Sequence, residues 1–200
     1  MKNWFKRNMV NILIACVIGV PISLYGISQQ PRHTVVSSQE IIEYQKTPET
    51  DLEVSIEPLE FYDIPLSEEL QTHIFKECEK HNIAPVIVIA IIERESSYKA
   101  DVIGDNGESF GLMQIYAKHH QERMDRLSCT NLLDPFQNIT VGIDYLAELK
   151  DEETDLYWVL MAYNGGRAYS NENIEKFVFS EYAIEVSKRA SKLEQVMYGD

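Results

Sequence analysis

The chain has 200 residues, of which 18 are basic and 32 acidic, for a formal net charge of −14. That length holds one domain of ordinary size with extensions, not two large ones. The acidic balance argues against nucleic acid as a partner, because phosphate binding needs a basic face. It also means that any anionic polymer would have to be held by short-range hydrogen bonds and ring stacking.

In chain order, Lys2, Lys6 and Arg7 precede the mostly apolar run Met9–Ile27, near the length of a bilayer-spanning helix. Basic residues before it and acidic ones after it orient the bulk of the chain outward. Residues 1–28 are therefore read as a membrane anchor or a signal peptide. Gly26-Ile-Ser28 offers small residues for cleavage, and Leu13-Ile-Ala-Cys16 resembles a lipoprotein box. All three readings export the protein. Residues 29–66, with prolines at 31, 48, 58 and 65 and 8 acidic residues against 2 basic from 31 onward, read as an acidic flexible linker.

The folded domain is expected over 67–200. Ser67 is a candidate N-cap for a helix in which Leu70, Ile74, Phe75 and Cys78 recur at helical spacing to about Lys80. Pro85 suits the first turn of a second helix ending near Glu95, although Val86–Ile92 would also suit a buried strand. Asp134-Pro135 opens a third helix to about Lys150, burying Ile139, Ile143, Leu146 and Leu149. Thr154 is a candidate cap for a fourth from Asp155 to Tyr163, stopped by Gly165-Gly166. A fifth runs from about Ser180 to Met197. A glycine-rich loop at 101–112 has room for a small hairpin. The expected fold is mainly α, a single helical domain with a cleft and a small loop or hairpin region. Cys78 and Cys129 permit one bridge outside the cytosol but no disulfide framework. His119-His120, His73 and His81 lack metal-ligand spacing and read as surface histidines, so no metal or cofactor is expected.

Glu95 ends the apolar run Pro85-Val-Ile-Val-Ile-Ala-Ile-Ile-Glu-Arg-Glu95. A carboxyl so placed is desolvated, which raises its pKa and suits it to general acid work. Glu93 is expected to face elsewhere, in solvent. In Gly111-Leu-Met-Gln114, Gly111 lets the backbone approach a ligand and Gln114 offers both a donor and an acceptor. Ala162-Tyr-Asn164 adds an aromatic and an amide able to gather around one carboxyl group. Together these segments point to sugar chemistry.

The set Glu95-Ser96, Gly111-Leu-Met-Gln114, Asn138-Ile139 with Gly142 and Tyr145-Leu146, and Ala162-Tyr-Asn164 resembles the lytic transglycosylase and goose-type lysozyme superfamily, over roughly residues 67–190 and in the same order. The resemblance implies a lysozyme-like α+β fold and cleavage of the β-1,4 bond between N-acetylmuramic acid and N-acetylglucosamine in peptidoglycan. By it Glu95 is the acid, and Ser96, Gly111, Met113, Gln114, Tyr163, Asn164 and Tyr182 line the sugar site, with Tyr163 beside Glu95, where a phenol would desolvate and hydrogen-bond it. The helix carrying Asn138 and Gly142 is structural. Gly165-Gly-Arg167 stands where many members read Ala-Gly-Pro-Gly, which leaves that turn's geometry open.

Two chemistries follow from the resemblance. A transglycosylase reuses Glu95 as base to close a 1,6-anhydro ring, whereas a hydrolytic muramidase needs a second carboxylate, for which Asp105 is the candidate. The first is favoured, since Tyr116 replaces a further Asp common in the goose-type enzymes, and Asp101 and Glu108 read as solvated loop charges. A non-catalytic, membrane-tethered wall-binding part of a secretion or conjugation apparatus is a third reading. It leaves a desolvated acid without a use.

Overall fold

The computed structural model describes residues 60–198, so the expectations for the N-terminal segment and most of the linker lie outside the described residues. Among the described residues no helix is long and apolar enough to cross a membrane.

The centre of the domain is α2 (Pro85–Ser96), in which Val86, Val88, Ile89, Ala90, Ile91 and Ile92 are all buried. A helix apolar on nearly every side needs neighbours all round. These are α1 (Glu68–His81), packed on α2, and α7 (Glu181–Tyr198), laid along the side of α2 that carries the acid. The longer α4 (Pro135–Glu152) packs on α1 and on α5 (Leu156–Gly165), which also meets α7. Each large aliphatic side chain removed from water in this core contributes roughly 1.5–3 kcal/mol, and Ile139, Ile143, Leu146 and Leu149 of α4 are buried as their spacing predicts.

Local signals set most boundaries. The Ser67 hydroxyl caps α1 by accepting from Leu70 N, and Asn82 closes that helix in the left-handed conformation. Asp134 caps α4 through Phe136 N and Gln137 N, with Pro135 in the first turn. Between α2 and α4 lies a three-stranded antiparallel sheet of two-residue strands, β1 (Ile103–Gly104), β2 (Ser109–Phe110) and β3 (Ile115–Tyr116), in the order β1-β2-β3. The expected hairpin therefore gains a third strand.

Several expectations are corrected. The described residues hold seven α-helices rather than five, the additions being α3 (Ala117–Arg126) and α6 (Arg167–Ile174). In α3 the buried side chains include His120 and Arg123, which no apolar pattern registers. In α6 only Ser170 is buried; its hydroxyl donates to Trp158 O at 2.8 Å. The chain thus passes through Gly166, at φ 84°, into another helix instead of stopping there. The cap of α5 is Asp155, accepting from Trp158 N at 3.0 Å, and not Thr154. Tyr62 and Leu66, assigned above to the linker, are buried, because Gln71 bonds Tyr62 N, Tyr62 O and Leu66 O and so satisfies backbone that an unstructured tether would leave to water. His120 is buried and accepts from Arg123 Nε at 3.3 Å, so it is no surface histidine. Cys78 and Cys129 are buried free thiols.

Candidate active site

Glu95 occupies the last turn of α2, half-buried, with its Oε1 accepting a 2.7 Å hydrogen bond from the Tyr182 hydroxyl in the first turn of α7. Burial is the main cause pushing the Glu95 pKa above the ordinary carboxylate range. The Tyr182 hydroxyl and the Arg94 charge pull it back, and the Asp105 charge adds to the rise. The group is thus biased toward its protonated form.

A second phenol stands close by. Burial first, and the Glu95 charge second, push Tyr163 well above the usual phenol range, and Tyr182 is raised in the same way. Both phenols are therefore donors at any working pH. Tyr163 spends its proton on Met113 O, at 2.8 Å. The hydrogen bond to Glu95 expected of Tyr163 comes instead from Tyr182, because the hydroxyl at the end of α5 is already claimed by the backbone of the strand connection.

That connection, residues 111–114, is braced from below. The Asn138 carboxamide accepts from Met113 N at 2.8 Å and donates to Phe110 O at 2.8 Å and Leu132 O at 2.9 Å. It has no exposed surface, and its three bonds tie the backbone at Met113, Phe110 and Leu132 to one side chain. Gly111, at φ 73°, is required here: a Cβ would press on Leu132 O and on the Asn138 amide. The close approach it permits is to Asn138, whereas the sequence suggested a ligand.

Residues 72–184 match the family model described as Transglycosylase SLT domain, more than half of the chain. The chain belongs to this family. Among curated relatives, a "Transglycosylase" of Enterobacteria phage PRD1 is 33% identical over 92 residues, covering 46% of this chain and 33% of the phage protein. "Membrane-bound lytic murein transglycosylase C" of Pectobacterium atrosepticum is 31% identical over 107 residues, covering 46% of this chain and 29% of that protein. The matches span about a third of these relatives' length. Among solved structures, an inactive variant of lytic transglycosylase Slt from Pseudomonas aeruginosa has a TM-score of 0.58 at 20% identity, covering 67% of this chain and 25% of that one. The 70 kDa soluble lytic transglycosylase of Escherichia coli has a TM-score of 0.52 at 21% identity, covering 68% and 25%. These two likenesses concern the fold.

Within this SLT domain the predicted site residues divide into two groups. Glu95, Tyr182 and Tyr163 are brought together at the meeting of α2, α5 and α7. Ser96 is buried and donates back to Ile92 O at 3.0 Å, finishing the helix. The Met113 side chain is fully enclosed and packs where Gly142 leaves room, so its backbone carbonyl is what faces Tyr163. The Gln114 amide nitrogen donates to Val102 O at 3.1 Å and Gly111 O at 2.8 Å. Asn164 is exposed near the end of α5.

Asp105 is exposed, in a left-handed turn at φ 46°, and its Oδ2 accepts from the buried Ser109 hydroxyl at 2.5 Å. Glu93 is not simply solvated as expected: its Oε2 accepts from Tyr98 Oη and from Arg189 Nε, each at 2.6 Å. Sequence reasoning gave no role to Tyr98 or Arg189: Tyr98 is five residues from Glu93 and reaches it only because the turn after the helix folds back, and Arg189 is 96 residues away.

Proposed function

We propose that the domain cleaves the β-1,4 bond between N-acetylmuramic acid and N-acetylglucosamine in peptidoglycan, with Glu95 as general acid and then base. The observation that carries this is a half-buried carboxyl, biased to its protonated form, held by one phenol and flanked by a second. Glu95 gives its proton to the glycosidic oxygen as the bond to C1 breaks, and the substrate's own N-acetyl oxygen stabilises C1. The Glu95 carboxylate then takes the proton of the 6-hydroxyl as that oxygen bonds to C1. The product is a 1,6-anhydromuramic end, and Glu95 is protonated again with no water consumed.

This non-hydrolytic route is favoured over a muramidase in which Asp105 activates water, because Asp105 Oδ2 is engaged by the Ser109 hydroxyl and Tyr116 stands where a further Asp would support hydrolysis. The proposed setting is the outer side of a membrane. Its support is the basic and apolar N-terminal sequence together with the printed name of the Pectobacterium relative.

The test is digestion of purified peptidoglycan with mass analysis of the released fragments. Anhydro ends, one water lighter than reducing ends, are expected from the wild type, and Glu95→Gln should release none while still binding the polymer. Reducing muramic ends, lost in Asp105→Asn, would replace the transglycosylase reading with hydrolysis. Equal release by Glu95→Gln would remove Glu95 from its role.

A further inference from the structure

Immediately after Glu95 the backbone does something unusual. Ser97 and Tyr98 both adopt left-handed conformations, with φ of 50° and 65°, and neither is glycine. Such a pair persists where surrounding contacts over-determine it. The contacts are visible: Ser97 N donates to Glu93 O at 3.0 Å, Lys99 N to Ser96 O at 3.1 Å, and the Tyr98 hydroxyl folds back onto Glu93 Oε2 at 2.6 Å. The same carboxylate oxygen receives Arg189 Nε at 2.6 Å from α7. Arg189 lies seven residues after Tyr182, two turns along one face of α7. The ion pair therefore ties the turn that follows the acid to the helix that supplies the acid's hydrogen-bond donor. A partly exposed ion pair adds little to stability, so holding a strained turn is a fuller account of this arrangement than stability alone.

We propose that Glu93, Tyr98 and Arg189 are positioning residues, a clamp that sets the register of α7 on α2 and with it the hydrogen bond from Tyr182 to Glu95. The proposal rests on Glu95 being the working acid. The groups that face Glu95 are Arg94 of α2, Tyr182 of α7, Tyr163 of α5 and Asp105 of the β1–β2 turn. Of these, the clamp governs Tyr182 directly. Arg94 has its own link to α7, at 3.0 Å from Glu185, which explains why the clamp tunes a contact instead of holding the helix on.

The experiment uses the full chain with Tyr98→Phe, Glu93→Gln, Arg189→Gln and Arg189→Lys. Peptidoglycan turnover is measured alongside titration of the Glu95 carboxyl by carbon NMR. Tyr98→Phe and Glu93→Gln should lower kcat roughly tenfold with KM nearly unchanged, and Arg189→Lys should recover most of what Arg189→Gln loses. The Glu95 titration should move up in both Tyr98→Phe and Glu93→Gln, since a slackened Tyr182 bond no longer favours the carboxylate. Bare loss of a negative neighbour in Glu93→Gln would move it down. A downward or absent shift in these variants overturns the clamp. If Glu93→Gln fails to fold, Tyr98→Phe, which loses one hydroxyl, decides alone. A wild type inactive on peptidoglycan would count against the function proposed above, while the titration would still decide the clamp.

Discussion

At the scale of single residues, one hydroxyl separates this carboxyl from an ordinary buried acid. Tyr182 donates to the charged form of Glu95 and so opposes the rise that burial causes. Tyr182→Phe removes that opposition and leaves the apolar ring. Since the first step proposed above requires protonated Glu95, activity is expected to fall as pH rises through the Glu95 pKa. In Tyr182→Phe the falling limb should move to higher pH, with turnover at the optimum down about tenfold or more because the carboxyl is no longer aimed. A pH profile of kcat tests both. A limb moving to lower pH would mean that Tyr182 acts on Glu95 in some other way. The same scale exposes the limit of motif reading: Met113 and Gln114 lie in the strand connection that Tyr163 holds, yet the sequence could not say that the thioether fills the space beside Gly142 or that the amide braces Val102.

At the scale of elements, the helices are held by partners that sequence periodicity does not count. Arg123 of α3 is buried against Asp144 of α4, which Arg126 also meets at 2.7 Å; Arg123 further reaches Glu148. These guanidinium groups, outweighing the burial of Asp144, hold its carboxyl below the usual range. Arg123→Ala would leave that carboxylate to Arg126 alone, at a cost of about 1.5–3 kcal/mol for the lost charged hydrogen bond. Chemical denaturation at neutral pH should show that loss. The difference from wild type should shrink as pH falls through the lowered Asp144 pKa, because the pair's stabilisation is present above the ordinary carboxylate value and is lost on protonation. A loss independent of pH would assign the effect to packing.

At the scale of the whole molecule, the net charge of −14 repels an anionic polymer. If recognition is by phenols, amides and backbone groups, as proposed, it is short-ranged, and raising salt from low to physiological strength should change KM by less than about twofold. A steep weakening with salt would instead require a cationic docking face.

The sequence by itself determined the helices with strong periodicity and clear caps, the presence of a small hairpin region, and a carboxyl, Glu95, at the end of an apolar run as the candidate acid. These follow from local signals: cap chemistry, spacing, and an ordered set of motifs. Only the tertiary structure decided which phenol holds Glu95, why Gly111 must be glycine, and that α3 packs through a buried His120 and Arg123. It also decided that Glu93 meets Arg189, 96 residues away. Each of these depends on a partner brought near by the packing of helices, and a partner's identity and distance are written in no local stretch of the chain.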